Sequence, residues 1–268
     1  MSNGWTGGQY SLFRAIFGTY LFVHFVQFLL WGVGLFPNHG VPPQVSASPL
    51  ISPFSHFLVL GDAPVFVNVL LGMAVGLSVL FVLGCYDRVA AVGLCFLWVC
   101  LFGRNSPIAN PSLLYVGWLL LAHAFLPPSP YGSWAARGRP DPAGSWRMPR
   151  PIYTLAWILM ALGYTYSGCT KLVSPSWLDD TALAWVLENP LARPSAVREA
   201  LLALPDGILH LASWGALGLE LAFAPLALIR PLRPWLWGLM LVMHLSLIVV
   251  IDFADLSFGM VMLHLFTF

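Results

Sequence analysis

The stretch "LFRAIFGTYLFVHFVQFLLWGVGLF", residues 12–36, decides how the rest of the chain is read. It is apolar almost throughout, and no positively charged region precedes it. A secretory leader carries an apolar core of about 7–15 residues behind a basic n-region. A helix crossing a hydrocarbon layer of ~30 Å needs about 20. Residues 12–36 fit the second description, so this segment is expected to stay in the protein as a first transmembrane helix.

Composition extends that reading to the whole chain. Of its 268 residues, 59% are hydrophobic and 9% charged, and the mean hydropathy is +0.80. These values exclude an ordinary soluble domain. The formal net charge is +1 with no basic tail or block, so the sequence offers no footprint for nucleic acid. Cys85, Cys95, Cys100 and Cys169 include no C-x-x-C pair and fall mostly inside apolar segments. They read as small buried apolar residues, not as a disulfide framework or a thiol relay.

Proline, glycine and charge divide the chain into eight apolar segments: Leu12–Leu35, Val65–Leu83, Val89–Phe102, Pro111–Leu126, Ile152–Lys171, Ile208–Ile229, Trp235–Ile251 and Leu256–Phe268. The expected fold is therefore all-α, a polytopic transmembrane helical bundle of about eight spans forming a single transmembrane domain over residues 1–268. The third, fourth and eighth segments are short for a span. The break "GRNSPIANP", residues 103–111, either dips below the membrane surface to line a cavity or simply joins two tilted helices. Residues 176–205 mix charged and apolar side chains, and Pro190 and Pro194 forbid one continuous helix. That segment reads as an extracytoplasmic, interfacial lid with Trp177, Leu183, Trp185 and Leu187 in the headgroup layer, or as a solvated connector.

Charge sets the orientation. Arg14, Arg88, Arg137, Arg139, Arg147, Arg150, Arg230 and Arg233 collect on one side, opposed only by Asp87 and Asp141. The other side holds most of the acidic residues. The positive-inside rule puts both termini in the cytoplasm and Lys171 toward the extracytoplasmic face.

Lys171 is the only lysine among the 12 Lys and Arg residues, and it ends a long apolar run. On a helix, Met160, Tyr164, Ser167 and Lys171 form one stripe, and Gly168 beside it admits a neighbouring backbone or a ligand. The amine either snorkels to the headgroups or sits in a dry pocket that disfavours its charged form and makes it a usable base. Arginine could not play the second part, because it does not release its proton. His24, His123, His244 and His264 lie in or near the ends of apolar segments and read as hydrogen-bonded structural residues unless something more specific singles them out. Glu220, deep in its segment, is expected to be protonated or to tie two helices together. No H-x-x-x-H, H-E-x-x-H or Cys/His cluster supports a metal site, and no G-x-S-x-G elbow or phosphate loop is present.

Around Lys171 the pattern becomes specific. "YTYSGCTKLVSPSWLDDTALAWVL" (164–187) resembles the Gly-x-x-Lys-Leu, then Trp, segment of the vitamin K-dependent gamma-carboxylase-like membrane proteins, which include the bacterial "horizontally transferred transmembrane domain" (HTTM) family. "SLFRAIFG" (11–18), "NPSLLYVGWLLLAHAFLPP" (110–128) and "LVMHLSLIVVIDFADLSFGMVML" (241–263) are similar, in order, to the family's opening, central and late helices. The resemblance implies a bacterial inner-membrane enzyme in which a lysine deprotonates a hydroquinone of menaquinone or vitamin K type. Reaction with dioxygen then gives an alkoxide basic enough to remove a weakly acidic proton; in the carboxylase itself that proton comes from a peptide glutamate and carbon dioxide adds to the resulting carbanion. It places Lys171 as the catalytic base, His244 as a hydrogen-bonding or proton-transfer partner, and Tyr164, Ser167, Gly168 and Asn110 at the quinol site, with no metal.

Three departures bear on the substrate. The family's histidine after the central asparagine is replaced, giving Asn110-Pro111, and Asp180 stands where a glycine usually follows. The chain ends at Phe268, without the large soluble region that engages peptides in the full carboxylase. The expectation is therefore a small or lipid-soluble substrate, or a peptide delivered by a partner protein on the extracytoplasmic side. The Gly-x-x-Lys-Leu pattern is also similar to DoxX-like proteins, which leaves open a non-catalytic membrane subunit that binds quinone or a partner. Hydrophobic transport has no inverted repeat to support it.

Overall fold

The computed structural model describes residues 5–36, 63–104, 110–138 and 146–268. Among these residues the protein is all-helical, and its only strand-like pairing is an isolated antiparallel bridge between Ala192 and Ile251. The helices are α1 (Gly7–Leu35), α2 (Pro64–Leu83), α3 (Asp87–Arg104), α4 (Pro111–Phe125), α5 (Arg150–Lys171), α6 (Pro175–Leu178), α7 (Ala182–Glu188), α8 (Ala196–Leu202), α9 (Asp206–Ala227), α10 (Arg233–Val250) and α11 (Ala254–Thr267). Each of the eight apolar segments read from the sequence forms one of these helices. Four stretches among the described residues are long and apolar enough to cross a membrane: Gly7–Leu35, Pro64–Leu83, Asp206–Ala227 and Arg230–Val250. Helix α4 and the last helix are apolar but shorter. Helix α5 has the length, but its tyrosines, threonines, serine and lysine dilute its hydropathy.

Local sequence explains the helix ends. Thr6 and Gln9 form a reciprocal capping box that starts α1, each side chain accepting from the other's backbone N–H. Proline occupies the first turn of α2 and α4, where a missing N–H is harmless. Gly84 ends α2 in the left-handed region at φ +60°, and a Cβ there would lie 2.3 Å from Ser133. Only glycine satisfies both constraints.

The chain divides into two compact units, Met1–Ile152 and Tyr153–Phe268. In the first, α1 packs on α2, α2 on α3 and α3 on α4. Arg14 is 1% exposed inside it. Its guanidinium donates to the Phe81, Val82 and Gly132 carbonyls and to the Ser129 hydroxyl, closing off the carbonyl end of α2. The charge counted from the sequence toward a cytoplasmic surface is thus used inside the fold. Tyr10 bonds His123 Nδ1, whose Nε2 lies 3.3 Å from Asp87. His24 is packed among aromatic rings, with its centroid 4.9 Å from Trp98. The break at 103–111 falls largely outside the described residues.

In the second unit α9 packs against α6, α7 and α10, and α10 against α11. Residues 176–205 fold into short helices, as their prolines require, and they are anchored rather than loose. Leu187 is fully buried with Leu209 and Val250. Leu183 N donates to Ser213 Oγ, Arg193 N to the Val250 carbonyl and Arg198 Nε to the Leu187 carbonyl. His210 Nδ1 and Asp180 lie 2.6 Å apart. Large apolar side chains face outward on both units, among them Leu30, Val65, Leu114, Leu211 and Val242, each more than half exposed. A bilayer would cover such surfaces.

Candidate functional site at Lys171

Helix α5 carries the site. Met160, Tyr164 and Gly168, spaced four residues apart, are its buried stripe with Ala156. Gly168 settles which neighbour comes close: a Cβ there would lie 2.8 Å from the backbone nitrogen of Leu221. The space beside it is filled by α9, so the glycine serves helix packing.

A threonine adds to the same crossing. Pro225 interrupts α9, removing one N–H and leaving the Leu221 carbonyl short of its usual donor. Thr165 Oγ1 sits there, donating to the Glu220 carbonyl at 3.2 Å and accepting from Ala224 N at 2.9 Å. The Leu221 carbonyl lies 3.5 Å away. Gly168 and Thr165 together bring residue 220 of α9 against the last turn of α5.

There Lys171 Nζ donates to both carboxylate oxygens of Glu220, each at 2.6 Å. The side chains are 23% and 5% exposed, respectively. Nζ also lies 4.3 Å from the centroid of the Trp177 ring, which approaches it from α6. The expectation that Glu220 ties two helices holds in this geometry, with Lys171 as its partner. The amine has a carboxylate and an indole as neighbours and stays partly exposed.

Two helical turns away, about 10 Å along α5, lies a second polar cluster. The Tyr164 hydroxyl is 2.8 Å from His244 Nε2 and 3.4 Å from His264 Nε2. His264 Nδ1 lies 2.9 Å from the Met260 carbonyl, so that nitrogen carries the proton and Nε2 is an acceptor. The assignment that satisfies both contacts has Tyr164 donating to His264 and accepting from His244 Nε2–H. His244 Nδ1 is then a bare acceptor, buried with no hydrogen-bond partner among the described residues. Phe223 and Tyr164 close one side of this cluster, with ring centroids 4.9 Å apart.

Lys171 and His244 are therefore in separate clusters, linked by α5 and not by direct contact. Ser167 is half-buried, and its carbonyl accepts from the Thr170 hydroxyl. Asn110 belongs to the other unit, where its side chain caps α4 by accepting from Ser112 N and Oγ. Among the described residues no group of three His, Cys, Asp or Glu side chains is placed to hold a metal ion. Sequence reading missed Thr165 altogether, along with the Asp180–His210 and Tyr10–His123–Asp87 contacts.

No family model matches the chain, and neither does any curated protein or solved structure.

Proposed function

We propose that the second unit is the working part of a membrane-embedded, quinol-dependent enzyme of the gamma-carboxylase-like kind, with Lys171 as its base. The supporting observation is the bidentate contact between Lys171 Nζ and Glu220. A carboxylate this close favours the ammonium form, so in this reading Lys171 acts as a base only after one proton passes along the 2.6 Å contact to Glu220. Glu220 then stores the proton, and Trp177 limits the access of water.

The polar groups nearby suit a hydroquinone. His244 Nδ1 is a buried acceptor without a donor among the described residues, and a phenolic hydroxyl is a donor of the right kind. Lys171, Tyr164 and His244 are the residues to hold such a group; when bound, it would supply the reducing power with which dioxygen yields a strong base. Tyr164 fixes the His244 ring, and Glu220 fixes the position of Nζ. The proposal places all eight apolar segments in a bacterial inner membrane, with both termini cytoplasmic and residues 176–205 as an extracytoplasmic lid. Its substrate is small or lipid-soluble, or a peptide brought by a partner protein, with carbon dioxide as a co-substrate where carboxylation follows.

A second reading is favoured by two observations: both oxygens of Glu220 are engaged, and Gly168 is consumed by packing. In it the pair is a structural tie, and the protein is a DoxX-like subunit that binds quinone or a partner without chemistry. Lipid extraction of the purified protein with mass spectrometry tests the quinone assignment shared by the enzyme reading. A menaquinone near one per chain, depleted by His244→Ala, supports it; phospholipid alone refutes it.

A further inference from the structure

We propose that a groove between the first half of α5 and the end of α9 binds an anionic phospholipid, its phosphodiester on Arg233 and part of one acyl chain along Trp157, Ala161 and Ala224. The inference rests on the membrane placement of this unit and not on the chemistry at Lys171, which lies at the opposite end of α5. The groove has a volume of about 240 Å³, and its lining is mostly apolar with Arg233 as its one charged residue. That is below the ~300–1,000 Å³ of an enclosed small-molecule site. It suits a length of one chain whose remainder stays in the bilayer.

The floor exists because Ala161, Ala224 and Ala227 contribute only methyl groups between larger neighbours. The rim residues Leu162 and Leu228 are 59% and 80% exposed, so the trough opens onto a surface that lipid chains would cover.

Arg233 gives the groove its chemical selectivity. Its Nε donates to the Ala227 carbonyl at 2.7 Å, which orients the guanidinium, and its Cζ lies 5.8 Å from the Trp157 ring centroid. The two terminal nitrogens make no hydrogen bond or ion pair among the described residues. No acidic side chain lines the groove. A guanidinium held by one bond, with its fork free beside an apolar trough, matches a phosphodiester carrying acyl chains. Arg230, exposed in the preceding turn, adds a second positive charge. A headgroup of net negative charge is therefore preferred over phosphatidylcholine, which brings its own cation against both arginines.

Native mass spectrometry of the full chain in detergent, titrated with palmitoyl-oleoyl phosphatidylglycerol or the matching phosphatidylcholine, tests this. The expected result is about fivefold tighter binding of phosphatidylglycerol, equivalent to ~1 kcal/mol for one basic contact. Arg233→Gln should bring the two lipids within twofold of each other. Ala161→Phe, which touches no hydrogen bond, should fill the trough and lower phosphatidylglycerol occupancy several-fold with Arg233 in place. Equal binding of the two lipids by the unaltered protein overturns the proposal. So does phosphatidylglycerol occupancy that Ala161→Phe leaves unchanged, including the case where that variant instead loses a bound menaquinone. Should Arg233→Gln fail to fold, the Ala161→Phe comparison decides alone.

Discussion

Lys171 Nζ stands 2.6 Å from both oxygens of Glu220, joining the last turn of α5 to the middle of α9. The contact depends on how closely the helices cross. Gly168 lets the Leu221 backbone approach, and Thr165 satisfies the groups disturbed at Pro225. An ammonium and a carboxylate this close, with the carboxylate 5% exposed, leave each other little alternative partner. Removing one is therefore a different experiment from removing both.

Glu220→Gln should destabilise the protein by about 1–3 kcal/mol. That is less than the ~3–5 kcal/mol for breaking a fully buried pair, because the Lys171 side chain is 23% exposed. Lys171→Met combined with Glu220→Leu should recover most of the loss, since no charge is left buried alone. Thermal unfolding in detergent checks both. A double variant as unstable as Glu220→Gln would mean that packing, not charge, decides the site.

Gly168→Ala places a methyl group 2.8 Å from Leu221 N, a backbone atom that cannot rotate away. A loss of about 1–3 kcal/mol is expected from overpacking. Gly215, on α9, has nothing within 4 Å of the same position. Gly215→Ala should be neutral or stabilising by up to ~1 kcal/mol through helix propensity. Equal effects of the two substitutions on the melting temperature would contradict the close crossing.

Tyr164→Phe deletes the hydroxyl shared by His244 and His264. Two ring nitrogens then lose their contact in a buried place, at a cost of about 1–3 kcal/mol. Nitrogen-15 NMR of labelled histidines should show both rings perturbed. A change confined to one would separate His264 from the network.

Arg14→Lys keeps the charge but loses the fork that reaches three carbonyls and a hydroxyl. An ammonium cannot replace that geometry, so a loss of about 2 kcal/mol or more is expected from unsatisfied buried carbonyls. Unfolding followed by circular dichroism checks it. An unchanged melting temperature would show that charge alone suffices at this position.

The sequence makes the helices legible because an apolar run bounded by proline or charge has few other solutions. It also makes Lys171, Glu220 and His244 legible as unusual, since ionisable groups in apolar runs are rare. What it does not carry is helix rotation and pairing: nothing in the segment around residue 220 says that its carboxylate meets residue 171. Thr165 looks ordinary until Pro225 on another helix is placed beside it. Arg14 reads as a surface charge from its place near a helix start, yet it is buried. Gly168 announces a close approach without saying by what, and the answer is the α9 backbone. Asn110 reads as a site residue, whereas its side chain caps a helix that begins with proline.

The most direct test of Lys171 as a base is menaquinol-driven oxygen uptake by the purified protein beside its Lys171→Arg variant. Arginine preserves the charge and can keep the contact with Glu220, but it does not release its proton. The expected result is a variant with matching melting temperature and quinone content whose uptake above spontaneous autoxidation falls by about 100-fold or more, the scale of a lost general base. Uptake equal to that of the unaltered protein would contradict the catalytic reading and leave Lys171 a structural tie.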